Sequence, residues 1–91
     1  MLDIVLSNRF KKDLKLLAKR GCNLNKLNNV VDRSAAGEKL EQKYRVHELV
    51  GNYAGYTECH IEPDWLLIYR IDGNDLILFL SRTGTHSDLF E

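Results

Sequence analysis

The chain has 91 residues, 44% of them hydrophobic and 29% charged, a balance that suits one soluble domain with a modest core and leaves no room for a second. No apolar run approaches the roughly 20 residues that cross a bilayer, and the opening Met1-Leu2-Asp3-Ile4-Val5-Leu6 lacks a basic region followed by a long apolar stretch, so neither membrane insertion nor a secretory signal is expected and the default location is the cytoplasm. The formal net charge of zero hides a segregation: residues 1–46 hold eleven Lys/Arg against five Asp/Glu, a net of +6, and residues 47–91 hold two against eight, a net of −6.

Residues 2–6 read as a short strand with β-branched residues at its centre. Ser7 or Asn8 can cap the next element by accepting a bond from an orphan backbone N–H. Phe10, Leu14, Leu17 and Ala18 then recur at helical spacing while Lys11, Lys12, Lys15 and Lys19 take the other faces. Gly21 ends this helix, because glycine enters the left-handed conformation without penalty. Asn23 caps a second helix with Leu24, Leu27, Val30 and Val31 on one side, closed by Ala35-Ala36-Gly37. The lysine-bearing faces, Lys11 and Lys12 foremost, have two compatible readings: a solvated helix surface, or a basic surface for phosphate or an acidic partner.

Residues 38–53 are irregular and turn-rich. Residues 56–61 alternate as a strand, with Tyr56, Glu58 and His60 on one face. Pro63-Asp64 breaks it, and Trp65 to Ile71 is apolar enough to be covered on both sides. Asp72-Gly73-Asn74-Asp75 is a hairpin turn with Leu76 to Ser81 as the returning strand, and a terminal helical turn is expected over Ser87 to Phe90. The predicted fold is a single α+β domain over 1–91, ordered β-α-α-β-β-β, with two helices packed on a small antiparallel sheet.

All three histidines fall in the second half, as His47, His60 and His86. Histidine gives and takes protons near neutral pH. Pairing the hairpin strands so that positions sum to 147 sets Trp65 opposite Arg82 and gathers Asp64, Trp65, Arg82, the His86 segment and His60 at one sheet edge. Each residue also has a plain structural reading: a hydrogen-bonded His60, a core Trp65, a Phe90 that staples the tail, an Asp64 in ordinary turn chemistry, an Arg82 paired with Glu58 or Glu62. As a set, the types match metal-free RNA cleavage. The 2′-hydroxyl loses a proton and attacks phosphorus, a cation offsets the developing charge, and the leaving 5′-oxygen gains a proton. Aromatic rings hold splayed bases. The nucleophile belongs to the substrate, so no metal or cofactor is expected. A metal site on Cys59, His60 and Asp64 lacks a repeated ligand pair, and Cys22 and Cys59 are expected as free thiols.

The stretches His47-x-Leu49-x-Gly51, Glu58-x-His60-Ile61-x-Pro63-Asp64-Trp65-Leu66-Leu67-Ile68-Tyr69 and Arg82-Thr83-Gly84-Thr85-His86-Ser87-Asp88-Leu89-Phe90 closely resemble the YafQ-type toxins of the RelE/ParE superfamily, and the likeness spans the chain. The resemblance implies the toxin of a type II toxin–antitoxin pair with a microbial-RNase-like fold. It implies cleavage of translated mRNA in the ribosomal A site, and a RelB/DinJ-like antitoxin that also brings the pair to operator DNA. It assigns catalysis to His47, His60, Asp64 and His86, with His86 the leading general acid, base contacts to Trp65 and Phe90, and a phosphate contact to Arg82. Two alternatives stay open: a ParE-like toxin that poisons gyrase by binding, and a degenerate toxin kept for antitoxin binding. Two positions depart from the family pattern. Val46 stands where an acidic residue usually precedes the first histidine, and Thr57 where an Arg usually precedes the position of Glu58. Either an ion pair has been lost whole, or an RNA-contacting Arg is missing.

Overall fold

The computed structural model describes residues 1–90. Strand β1 (Asp3–Leu6) leads into α1 (Asn8–Lys19) and α2 (Leu24–Ala35). Single 3-10 turns at Gln42–Tyr44 and Gly51–Tyr53 flank a two-residue strand, β2 (His47–Glu48). Then come β3 (Thr57–Glu62), β4 (Trp65–Asp72), β5 (Ile77–Gly84) and the short α3 (His86–Phe90).

The helices form where side-chain chemistry satisfies their first N–H groups. Ser7 Oγ accepts from the Phe10 amide at 2.9 Å, and Asn23 Oδ1 accepts from the Asn25 amide at 3.1 Å. Gly21, at φ +78°, supplies the left-handed residue that lets α1 stop and α2 begin.

The five strands make one sheet in the order β1-β5-β4-β3-β2. Strands β2 to β5 run antiparallel, but β1 pairs with β5 in parallel, so the sheet is mixed where an antiparallel one was expected. Parallel neighbours cannot be joined by a tight hairpin, and here everything from α1 to β4 lies between β1 and β5 in the chain.

The sheet is covered on both faces. Phe10, Leu17, Leu27, Val30, Val31 and Ala35 from the helices close over Cys59, Ile61, Leu67, Tyr69, Leu78 and Leu80. On the opposite face, Leu66 and Ile68 pack with Leu89 of α3 against Leu49, Tyr53 and Tyr56. This double cover is why β4 reads as an almost unbroken apolar run.

The hairpin register differs from the sequence reading. Ile68, not Trp65, lies opposite Arg82, and the ladder slips by one residue between Ile68↔Arg82 and Tyr69↔Leu80. The returning strand runs to Gly84, three residues beyond Ser81. The offset begins at the turn, where Asp72 pairs with Ile77 around four residues instead of two, and the slip beyond Ile68 adds one more. Among the described residues, no helix is long and apolar enough to cross a membrane.

Candidate active site

The face of the sheet away from α1 and α2 carries the three histidines in a row. His47 enters from β2 and pairs in register with Glu58 of β3. His60 lies two residues further along β3 on the same face. His86 arrives from the first residue of α3. Ring centroids stand 6.4 Å apart between His47 and His60, and 5.8 Å apart between His60 and His86. Phe90 follows at 6.4 Å from His86 and meets Tyr53 edge-on at 5.9 Å.

The hydrogen bonds sort the three rings. His47 Nδ1 donates to the Arg45 carbonyl at 2.9 Å, and His60 Nδ1 lies 3.3 Å from the Pro63 carbonyl. A carbonyl only accepts, so Nδ1 carries the proton in both rings. Their Nε2 atoms converge on one oxygen, Glu58 Oε1, each at 3.3 Å. Glu58 is buried. His60 is nearly so, its side chain 11% exposed, while the His47 side chain is 52% exposed.

His86 differs. Its Nδ1 and its backbone N–H both meet Asp64 Oδ1, at 2.6 and 3.1 Å. Nε2 forms no hydrogen bond among the described residues, and the side chain is 54% exposed. The bonds from His86 hold the Asp64 carboxyl below its ordinary range. The pair has the form of an imidazole oriented by a carboxylate with its far nitrogen open to a reacting group.

Two residues expected to meet RNA are also engaged in the framework. Trp65 is 5% exposed, and its indole N–H donates to Thr83 Oγ1 at 2.9 Å, which in turn donates to the Leu66 carbonyl at 2.7 Å. The one polar atom of the ring is thereby satisfied. Arg82 is committed to Asp13 of α1: Nε donates to Oδ2 at 2.8 Å and the guanidinium also reaches Oδ1 at 3.2 Å. Asp13 further accepts from the Thr83 amide at 3.2 Å. The bonds to Asp13 hold the Arg82 guanidinium's pKa above its usual value. Arg82 therefore fastens β5 to α1, where the sequence reading gave it a phosphate contact.

Phe90 remains 47% exposed beside His86, as a base-contacting ring needs to be. Lys11, Lys12, Lys15 and Lys19 are exposed, and among the described residues none is paired with a carboxylate. Val46 is half-exposed next to His47, and Thr57 sits opposite Glu48 in the ladder. The sequence reading passed over Glu58 as a functional residue. Its signal was present, since Glu58 shares parity with His60, but its link to His47 depends on a two-residue strand that no periodicity announces.

Among the described residues, no group of three His, Cys, Asp or Glu side chains is arranged to hold a metal ion. Cys59 points into the helix-covered core, where burial pushes its thiol up to about 12, and both cysteines are free. A cleft of about 440 Å³ opens beside His60, lined by Lys26, Lys43, Tyr44, Arg45 and Pro63 among others.

Comparison with known proteins gives the same answer by three routes. Residues 2–91 match the family described as the bacterial toxin of a type II toxin–antitoxin system, YafQ. The chain is 40% identical over 89 residues to the mRNA interferase toxin YafQ of Escherichia coli K12, covering 97% of this chain and 95% of that one. Among solved structures it resembles a metal-bound toxin from Helicobacter pylori at 46% identity with a TM-score of 0.93, covering 99% of this chain and 100% of that one. It also resembles a chain of the E. coli DinJ–YafQ complex at 39% identity with a TM-score of 0.90, covering both chains fully.

Proposed function

This chain belongs to the YafQ family of type II toxin–antitoxin toxins, and from that membership we propose that it is an mRNA interferase that cleaves messages while they are being translated. The observation that carries the proposal is the ordered row of histidines ending in His86, whose Nδ1 is 2.6 Å from Asp64 and whose Nε2 is open. An acid catalyst needs such a proton, held by its partner and free to reach a leaving oxygen.

The proposed chemistry divides between the two ends of the row. At one end, His47 Nε2, the ring nitrogen opposite the Nδ1 proton, takes the proton from the RNA 2′-hydroxyl as that oxygen attacks the adjacent phosphorus, and Glu58 then holds the imidazolium that forms. His60 stands between the two ends and, held by Pro63 and Glu58, braces the Glu58 carboxylate against His47. At the other end, His86 protonates the departing 5′-oxygen, and Asp64 stabilises its charged form and fixes its orientation. The products are a 2′,3′-cyclic phosphate, or its 3′-phosphate hydrolysis product, and a 5′-hydroxyl. Phe90 contacts a base flanking the break. A toxin that acts by binding alone has no use for three converging histidines, which disfavours the gyrase-poisoning reading.

The domain offers shallow surfaces rather than a deep groove for RNA, so the ribosome presents the message in a reactive geometry. The exposed Lys11 and Lys12 face contacts rRNA phosphate, and an antitoxin of the DinJ kind, the partner in the related E. coli complex, neutralises the toxin. The test is a cell-free translation reaction with purified toxin, read by primer extension. The expected result is cleavage of the translated message and little cleavage of the same RNA alone. Equal cleavage of both overturns ribosome dependence, and cleavage of neither overturns the nuclease reading.

A further inference from the structure

His86 rides on a five-residue helix that is too short to be stable by its own backbone bonds. Part of its support is already described: Asp64 holds the ring and the first amide, and Leu89 is buried beneath the tail. A further anchor lies outside the histidine row. Asp88 Oδ2 accepts from the Thr85 amide at 3.0 Å, while the Asp88 amide donates to Thr85 Oγ1 at 3.1 Å. This reciprocal cap satisfies two orphan donors at the start of α3.

The same carboxylate also meets Arg20, the residue that ends α1. The two guanidinium nitrogens donate to Oδ2 at 2.6 Å and to Oδ1 at 3.1 Å. The bend that allows this needs Gly84. Its φ of +155° is one that side-chain-bearing residues rarely adopt, and a Cβ there would stand 2.9 Å from Asp88 Oδ2.

We propose that Arg20 and Asp88 are a positioning pair that holds the His86 imidazole in its working place by tying the catalytic tail to the end of α1. The proposal rests on the reading of His86 as general acid. Both Asp88 oxygens are spent on Arg20 and on the cap, so the carboxylate acts through His86 and not on RNA directly. The Arg20 side chain is 41% exposed, so the pair adds little to the stability of the whole domain. The order of a single-turn tail depends on a handful of such contacts. A planar, two-pronged guanidinium fixes direction as well as distance, which an ammonium does not.

The test uses Asp88→Asn, which keeps an oxygen for the Thr85 amide but loses the charge, with Arg20→Ala and Arg20→Lys. Each is made in the wild-type chain and in His86→Ala. Single-turnover cleavage of translated message gives the rate and its substrate dependence, thermal unfolding checks the fold, and NMR follows the His86 ring. Asp88→Asn and Arg20→Ala are expected to lower the rate about five- to tenfold at unchanged KM, the effect of a loosened catalytic group. Arg20→Lys should recover part of the loss. In the His86→Ala background neither change should lower the rate further, and in the wild-type background the His86 ring signals should shift or broaden. An equal loss in the His86→Ala background, or His86 signals that do not move, overturns the pair's role. If the wild-type protein cleaves nothing, the catalytic reading has failed, and the ring signals alone decide the positioning claim: altered in Asp88→Asn supports it, unaltered sinks it.

Discussion

His86 is exposed and contributes little to folding, so the catalytic role proposed for it can be tested apart from stability. Replacing it with Ala should lower cleavage by roughly 10²–10⁴-fold, the range for losing acid–base assistance, while leaving the melting temperature close to wild type. A fully active His86→Ala protein would move the acid to His47 or His60. The neighbouring carboxylate at Asp88 allows a second residue-scale prediction, on pH. Arg20 and the Thr85 amide hold the Asp88 carboxyl far below the ordinary carboxylate range. A carboxylate whose folded pKa is depressed stabilises the fold fully above its unfolded pKa and loses that contribution progressively as pH falls from there through the folded one, while the group itself titrates in the fold only at the lower value. The Asp88–Arg20 contact should therefore survive acidification through pH 4, and the Asp88 side-chain ¹³C signal should show no titration there. A midpoint near the ordinary carboxylate value would mean that the pair does not form in solution. Asp88 lay within a motif legible in the sequence, but nothing local marked its partner, 68 residues away.

The elements differ in how far local sequence betrays them. Both long helices are legible because their caps, apolar spacing and terminating glycine are short-range signals, and Ser7, Asn23 and Gly21 act as read. β2 is not legible: two residues carry no periodicity, and the strand exists only because β3 offers an edge to pair with. The hairpin was legible as an element, but its register was not: the turn takes four residues, so Asp72 pairs with Ile77, and the slip after Ile68 shifts the ladder once more. Trp65 and Arg82 are therefore not partners, and Arg82 joins α1 through Asp13. The sequence offered Glu58 or Glu62 as its partner, and a pairing across 69 residues is invisible to local patterning. The Asp13 bridge gives a prediction at this scale. Asp13→Ala strands the Arg82 guanidinium and the Thr83 amide, and with the side chains of Arg82 and Asp13 only 13% and 11% exposed, the loss should be on the order of 3 kcal/mol. For a domain of this size the melting temperature should fall by more than about 10 °C. A change within a degree or two would show that the bridge is a bystander.

On the scale of the whole molecule, the charge segregation seen in the sequence becomes a spatial one. The lysine-bearing helices cover one face of the sheet, while the histidine row with Glu58 and Asp64 occupies the other face and its edge. A net charge of zero is therefore compatible with docking on a polyanion, because long-range attraction depends on the distribution of charge and not on its sum. Cys59, buried in the core, and Tyr69, pushed by burial to about 12, pack under the helices and do not open onto the histidine row. The proposed attacking group is the substrate's own 2′-hydroxyl. The most direct measurement is cleavage, in a translating reaction, of two messages that differ only in a 2′-deoxy nucleotide at the cleavage position. The account predicts that the ribonucleotide message is cut and the 2′-deoxy message resists at that position. Efficient cutting of the 2′-deoxy message would contradict it, because water would then have to be the nucleophile.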